Sequence, residues 1–268
     1  MSRRRPQIAD RLVRLLAKIV VAAIVVFGIL PAVMVVLSSF SGEQFLEFPP
    51  RKWGFTQYST LFHTSSWFHG VATSFELAIP VGILTVAIAL PAVFAITSPH
   101  LSRIGHLLEV VSLGPLLIPV SAYVVALYLA FLRLHLVGSF IGLIFAQSLG
   151  AVPIAILVLA SALRRIPRNL ELASMSLGAS RLRAAVGVTG RQLVPAIAAS
   201  FIVAFLFSFD DAIFVTFLGG PSVNPLAREI FDSLRVGVDP VVTAISTLLM
   251  AFTATLITVG AVLRRRTS

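Results

Sequence analysis

Six long apolar runs divide this sequence, and each is long enough to cross a lipid bilayer as a helix. A helix needs about 20 mostly apolar residues to span a hydrocarbon core of about 30 Å. Hydrophobic residues make up 57% of the chain and charged residues 12%, whereas soluble domains carry roughly 25% charged residues. The runs predict an all-α membrane protein that is a single domain over residues 1–268. Its spans are residues 19–37, 71–96, 107–132, 137–163, 193–218 and 241–263.

The distribution of basic residues predicts the orientation of the spans. Sixteen of the 21 lysines and arginines lie in the two tails, in the loop after the second span and in the loop after the fourth. Basic residues collect on the cytoplasmic side of a membrane protein, so both termini are placed inside. Two internal termini require an even number of spans, which agrees with six. The net charge of +10 is therefore explained by the basic cytoplasmic loops of a membrane protein, and no binding to nucleic acid is expected.

The residue types of the sequence exclude several kinds of site. The chain has no cysteine and five histidines, and it contains neither a His-Glu-x-x-His zinc helix nor a Gly-x-Ser-x-Gly nucleophile motif. The histidine pairs His63 and His69, and His100 and His106, are each six residues apart, a spacing that separates the two rings on a helix. We therefore expect no metal site, no catalytic residue and no cofactor site in this chain.

Residues 164–191, here called the coupling segment, form the long basic loop between the fourth and fifth spans. Asn169 is placed to cap a short helix, Gly178 to end it in a left-handed turn, and Ser180 to cap a second short helix. The first helix carries apolar residues at helical spacing, Leu170, Ala173 and Leu177. Two interpretations remain open: the segment lies on anionic lipid through its arginines, or it docks onto another protein.

Two outside loops each have one functional and one purely structural interpretation. Residues 38–70 carry many aromatic side chains, which suit either anchoring at the lipid headgroups or contact with an extracytoplasmic partner. Residues 219–240 begin with helix-breaking glycine and proline, and Leu226, Ile230 and Leu234 then share one helical face. This short helix either caps a translocation path or is a packed connector.

Two adjacent carboxylates lie inside the fifth apolar run. A charge at membrane depth is costly, so Asp210 and Asp211 are candidates for function. Ser200, Ala204, Ser208 and Asp211 fall near one helical face and could line a polar path for a cationic ligand, with Asp210 about 100° away. Alternatively, the aspartates bind helix ends near the Gly219-Gly220-Pro221 break, or pair with Arg228 or Arg235.

The coupling segment resembles the cytoplasmic EAA loop of permease subunits of binding-protein-dependent ABC importers. Gly178 matches the glycine of that motif and Ala173 its first alanine. Leu172 stands where the motif has glutamate, although Glu171 is adjacent, and Ser174 replaces the second alanine. Gly190-Arg191 stands where the motif has Leu-Pro. These departures concern the details of docking.

Two further stretches are similar to the spermidine/putrescine branch of this family and to its opine and aminoethylphosphonate relatives. One runs from Ser208 through the Asp210-Asp211 and Gly220-Pro221 pairs to Leu249, and the other is the proline-broken stretch 114–127. The resemblance implies a six-helix importer permease in a bacterial inner membrane, with a cytoplasmic coupling helix. It places Glu171, Leu172, Ala173, Ser174, Gly178, Ala179 and Ser180 against an ATPase.

The resemblance also implies partners. They are a second permease subunit, usually a different chain, two cytoplasmic ATPases and an extracytoplasmic substrate-binding protein. The chain has no Gly-x-x-x-x-Gly-Lys-Ser/Thr loop, so ATP and Mg²⁺ are expected on the partner ATPase and the chain itself is not expected to be an enzyme. The expected cargo is a polyamine or a related amine or aminophosphonate. The alternative is a self-sufficient, ion-coupled secondary transporter, which would need broken helices in paired repeats.

Overall fold

The computed structural model describes residues 5–43, 45, 47–97, 102–167, 169–237 and 239–267. Side chains are described at these positions other than 5–12, 65, 102–104, 106, 181, 182, 236 and 256–267. The described residues form helices and no β-strand, with one isolated bridge between Ser41 and Trp53. The all-α class predicted from the sequence is therefore confirmed.

The chain divides into two compact units, residues 1–65 with 233–268 and residues 66–232. Two junctions between helices are themselves helical: Gly114–Leu117 is a 3₁₀-helix and Ala185–Gly190 is a π-helix. In chain order the α-helices are α1 Arg5–Ser39, α2 Thr56–His63, α3 Ser65–Thr97, α4 Ser102–Leu113, α5 Val120–Arg133, α6 Phe140–Leu163, α7 Asn169–Ser176, α8 Arg181–Ala184, α9 Arg191–Phe209, α10 Ile213–Leu218, α11 Leu226–Val236 and α12 Val241–Thr267.

In the first unit, α1 and α2 each pack against α12. The loop between α1 and α2 is folded onto α2, because the buried Gln57 donates to the backbone carbonyls of Ser41 at 3.2 Å and Glu43 at 2.7 Å. The hydroxyls of Ser39 and Tyr58 lie 2.8 Å apart and join the end of α1 to α2. The outside loop predicted at 38–70 is therefore shorter than expected, since α1 continues to Ser39 and α3 begins at Ser65.

In the second unit, α6 is the central helix. It packs along α9 and also contacts α4, α5 and α10. Its buried residues contribute to two apolar clusters, one around Leu143 with Leu77 and Phe214, the other around Leu159 with Val93. An element surrounded by protein in this way can carry polar side chains whose partners are all supplied by its neighbours.

Within the described part of the chain, four helices are long and apolar enough to cross a membrane: Val13–Ser39, Ser66–Thr97, Phe140–Leu163 and Ala185–Phe209. The third predicted span is a bent pair, Leu107–Leu117 and Val120–Arg133, whose axes turn by 113°. Counting this pair as one span gives five among the described residues. The sixth predicted span corresponds to α12, of which Val241–Thr255 is a shorter apolar helix. The count of six and the internal termini stay predictions.

Two predicted span boundaries differ from the structure for local reasons. The third span is bent around Pro115 and Pro119, since proline has no backbone N–H to continue a helical ladder. The run at 193–218 is not one helix, because α9 ends at Phe209 and α10 begins at Ile213. The apolar residues on both sides of Asp210 and Asp211 favoured one continuous helix, and the break lies at these two aspartates.

Some residues on which the sequence analysis drew lie outside the described part of the chain. Among them are His100, the side chain of His106, and several of the basic residues that were counted in the two tails and in the coupling segment.

Candidate functional site

Helix α7 ends in a glycine turn of well-defined geometry. The backbone N–H of Gly178 donates to the carbonyl of Met175 at 3.0 Å, and that of Ala179 donates to the carbonyl of Ser174 at 3.2 Å. This pair of bonds is the Schellman arrangement, which needs a left-handed residue at the position of Gly178. Gly178 has a φ of +92°, so the turn predicted from its sequence position is confirmed.

The surface around this turn is apolar and exposed. Leu172 is 62% exposed and Leu177 is 89% exposed, and a Cβ placed on Gly178 would meet no atom within 4 Å. Ala173 and Ser180 are exposed as well, while Ser174 and Ala179 are half-buried. Two exposed leucines beside an open glycine offer a surface that a second protein could approach closely.

Helix α8 begins directly after this turn. The backbone N–H of Arg183 donates to the Ser180 hydroxyl at 3.4 Å, and that of Ala184 donates to the Ser180 carbonyl at 2.9 Å. Ser180 therefore caps α8, as its position in the sequence predicted. The chain then passes through the π-helix Ala185–Gly190 directly into α9. The coupling segment is thus joined to a membrane helix without a flexible linker.

Glu171 points away from the exposed surface. Its carboxylate accepts a hydrogen bond from the hydroxyl of Thr189, which is 3% exposed and lies in the π-helix. Leu172, which stands where the EAA motif has glutamate, is the exposed neighbour. The adjacent glutamate therefore does not take the place of the motif's glutamate on the outer surface of α7.

A polar network lies at the other end of α9. Helix α9 has 19 residues and is about 28 Å long at 1.5 Å per residue. Asp210 and Asp211 are therefore separated from the coupling segment by the length of a membrane span. Ser200, Ala204 and Ser208 lie on one face of α9 and are all buried. The Ser200 hydroxyl has no hydrogen-bond partner among the described residues.

Gln147 of α6 connects this face to Asp211. The Ser208 hydroxyl donates to Gln147 Oε1 at 2.7 Å, and Gln147 Nε2 donates to Asp211 Oδ2 at 2.9 Å. Asp211 also accepts backbone N–H groups of Ile213 at 3.2 Å and Phe214 at 3.1 Å. The carboxylate therefore binds the start of α10, which is one of the alternatives considered from the sequence.

The other predicted partners of the aspartates are placed differently. Asp210 is exposed and caps α9 through its backbone N–H, which donates to the carbonyl of Leu206 at 3.1 Å. Arg228 pairs with Asp232 at 3.6 Å and donates to the carbonyls of Gly220 and Val223. Asp211 has no ion pair among the described side chains. The two aspartates thus differ in burial and in contacts.

Sequence reasoning missed Gln147, although one signal was available. A glutamine in the apolar run 137–163 is a polar side chain at membrane depth, where such groups hydrogen-bond to neighbouring helices. A glutamine at this depth predicts a hydrogen bond to another helix, but it does not identify the partners. These are Ser208 and Asp211, which lie 61 and 64 residues further along the chain.

Comparisons with known proteins agree with this architecture. The putrescine transport system permease protein PotI of Escherichia coli (strain K12) is 37% identical over 93 residues, which are 35% of this chain and 33% of PotI. The spermidine/putrescine transport system permease protein PotC of the same organism is 26% identical over 262 residues, or 94% of this chain and 95% of PotC. The sulfoquinovosyl glycerol transport system permease protein SmoH of Agrobacterium fabrum is 25% identical over 214 residues, which are 78% of this chain and 75% of SmoH.

A solved structure shows the same fold. The crystal structure of an amino acid ABC transporter with histidines superimposes with a TM-score of 0.55 and 16% identity, covering 75% of this chain and 95% of that chain. No protein-family model matches the chain. The resemblance to ABC importer permeases of the spermidine/putrescine branch is confirmed by the full-length similarity to PotC.

Proposed function

We propose that this chain, whose homologues are permease subunits of ABC transporters, forms half of the membrane path of an ATP-driven importer for a small amine. The observation that carries the proposal is α7, an exposed helix with a glycine turn that lies in the chain between two membrane helices, α6 and α9. A helix of this kind suits transmission of force from a separate protein into the bundle.

The proposed force comes from two cytoplasmic ATPase subunits, which would hold ATP and Mg²⁺. The docking surface consists of Leu172, Ala173, Gly178, Ala179 and Ser180, with Ser174 at its edge. In this assignment the coupling segment faces the cytoplasm and both termini are internal, as the distribution of basic residues predicts. The chain crosses a bacterial inner membrane several times and is not itself an enzyme.

The proposed path carries its acidic side chains, Asp210 and Asp211, at the end of α9. Asp211 is half-buried, Asp210 is exposed, and the described residues show no ion pair at Asp211. A carboxylate without a cationic partner attracts an ammonium group most strongly where water is scarce. Ser208 and Ser200 lie on the same helix and are the further candidates for contact with the cargo. The names of PotC and PotI support a polyamine as the cargo.

The proposal includes three kinds of partner. A second permease subunit, a different chain, completes the path, and an extracytoplasmic binding protein delivers the amine. The exposed apolar side chains of α1, such as Phe27 at 81%, suit contact with lipid or with that second subunit. The alternative of an ion-coupled secondary transporter is not favoured, because the homologues are subunits of ABC systems.

Reconstitution of the complete transporter tests the proposal. The chain is expressed with its genomic partners, purified, and placed in liposomes with the binding protein and radiolabelled putrescine. We expect uptake that requires ATP on the ATPase side and stops when the phosphate-loop lysine of the ATPase is replaced. Uptake that is driven by a proton gradient without ATP would contradict the proposal and support the secondary transporter.

A further inference from the structure

Gln147 is a fully buried polar residue in the central membrane helix. It is 0% exposed, between Ala146 and Ser148, which are also 0% exposed. Burying an amide without hydrogen bonds costs roughly 1–3 kcal/mol in proteins, so such a residue persists where its polar atoms are bonded. Both ends of the Gln147 amide are bonded: Oε1 accepts from Ser208 and Nε2 donates to Asp211.

The bonds of Gln147 fix which way the amide faces. Ser208 has a hydroxyl hydrogen to give, and the Asp211 carboxylate can only accept when ionised. The amide must therefore present its oxygen to Ser208 and its NH₂ to Asp211. One side chain of α6 thus connects the last turn of α9 with the first residues after it. These contacts join Ser208, before the end of α9, and Asp211, between α9 and α10, to the same side chain of α6.

Gly150 of α6, three residues after Gln147, provides a second attachment for the same break. A Cβ at Gly150 would lie 2.8 Å from the ring of Phe214 and 3.2 Å from that of Phe207. The absent side chain lets these two rings, one from α9 and one from α10, pack edge-to-face at 5.9 Å between centroids. The break between α9 and α10 therefore packs against α6 at two places. One is the hydrogen-bonded Gln147, and the other, about one helical turn away, is Gly150 with the rings of Phe207 and Phe214.

The contacts of Asp211 are weakest at one of its two oxygens. A carboxylate offers about four acceptor sites. Three donors reach it in four contacts: Gln147 Nε2 binds Oδ2, the N–H of Ile213 binds Oδ1, and the N–H of Phe214 is shared between both oxygens. The contacts at Oδ1, of 3.2 and 3.4 Å, are longer than those at Oδ2, of 2.9 and 3.1 Å. A ligand ammonium group at Oδ1 would be a fourth donor and would displace the 3.4 Å contact of Phe214.

We propose that Gln147 is the positioning residue that holds the Asp211 carboxylate at the break between α9 and α10, so that its Oδ1 oxygen meets the ammonium group of the cargo. This inference rests on the proposed function for its ligand, and on the network itself for the positioning. Gln147 does not touch the cargo. It acts through Asp211, so its removal changes the affinity for the amine more than the rate of the ATP-driven cycle.

The first experiment compares uptake by the complete reconstituted transporter carrying Gln147→Leu, Asp211→Asn or both. We expect Gln147→Leu to raise the KM for putrescine at least tenfold, with Vmax changed less than twofold. In the Asp211→Asn background the same substitution should add less than a twofold change. An unchanged KM, or effects that multiply in the double variant, would overturn the positioning role.

An exchange variant separates positioning from simple bridging. Gln147→Glu with Asp211→Asn keeps a donor and an acceptor in contact and keeps one carboxylate, but moves that carboxylate onto α6. We expect the complex to assemble in normal amounts, with the KM for putrescine still raised at least tenfold. Full recovery of the KM would show that Gln147 only bridges the helices, and would overturn the proposal.

Amide hydrogen exchange tests the positioning without any transported ligand. Gln147→Leu should raise exchange at Ile213 and Phe214 at least tenfold in the purified complex, because Asp211 no longer holds these N–H groups. Ser148→Ala is the matched control, since Ser148 is equally buried but donates to Val81 of α3 at 3.4 Å. Unchanged exchange in Gln147→Leu contradicts the positioning role. A wild-type complex without ATP-driven uptake contradicts the proposed function instead.

Discussion

Thr189 donates its hydroxyl hydrogen to the carboxylate of Glu171 and so joins α7 to the π-helix that leads into α9. π-Helical turns are rare and occur frequently at functional sites. Thr189 is buried and Glu171 is half-buried, so the contact is formed inside the coupling segment. A displacement of α7 by a docked ATPase would be transmitted through this pair to the membrane helix.

Removal of this contact should uncouple transport from ATP hydrolysis. Glu171→Ala and Thr189→Val each delete a hydrogen bond to a charged group, worth about 1.5–3 kcal/mol. We expect the amount of amine transported per ATP hydrolysed to fall in either variant and to fall no further in the double variant. The ratio is measured in proteoliposomes. Ser176→Ala is the control, since its hydroxyl bonds only within α7, to the carbonyl of Leu172; an equal loss there would argue against a specific role of the pair.

Leu172→Glu should restore the residue of the EAA motif and yet not improve transport. Leu172 is 62% exposed on an apolar surface, and a carboxylate placed there must be desolvated when α7 docks. We predict reduced or unchanged uptake, measured with equal amounts of assembled complex. Val186→Glu introduces the same charge at an exposed position beyond the turn and serves as the comparison. A large gain from Leu172→Glu would show that the ATPase cleft still expects glutamate.

Gly178→Val should abolish transport while the protein remains in the membrane. A β-branched residue at a φ of +92° is strained by about 1–2 kcal/mol, and its side chain would also fill the open space beside Leu177. Gly178→Asn separates the two effects, since asparagine tolerates the left-handed region but still adds volume. Gly187→Ala is the control, because Gly187 is equally open and has no positive φ. Normal uptake by Gly178→Val would contradict docking at this turn.

Gly150→Val should destabilise the second unit of the chain. Its side chain would collide with Phe214 and Phe207, and overpacking of this kind costs typically 1–3 kcal/mol. We expect a lower midpoint of thermal unfolding for the purified complex. Gly28→Ala is the control, because a Cβ added at Gly28 meets no atom within 4 Å. Alanine is more stable than glycine in a helix interior by roughly 0.5–1 kcal/mol, so this variant should not lower the midpoint. Equal stability of Gly150→Val and wild type would refute the close packing at the break.

Local features of the fold could be predicted from the sequence. The turn at Gly178 and the cap at Ser180 follow from residue types within a few positions of each other, and both are found in the structure. The bend in the third apolar run follows from its prolines. Each of these features depends on backbone preferences that a residue carries with it.

Features that depend on distant partners could not be predicted in this way. The apolar run 193–218 predicted one helix across Phe209, since the residues on both sides of Asp210 and Asp211 are apolar and do not show whether these two aspartates interrupt the helix. The inward direction of Glu171 depends on Thr189, 18 residues away, and the role of Gln147 depends on residues more than 60 positions away. Such contacts are decided by how helices pack, which periodicity does not specify.

The account depends most on α7 being the point where an ATPase engages this chain. The chain contains no cysteine, so Ala179→Cys introduces a single reactive thiol beside the turn. A photoactivatable maleimide on this thiol, in inverted membrane vesicles from cells that express the whole system, should cross-link the chain to its ATPase subunit, which mass spectrometry would identify. Modification of the thiol by an impermeant reagent from the extracytoplasmic side, with no cross-link to an ATPase, would contradict the account.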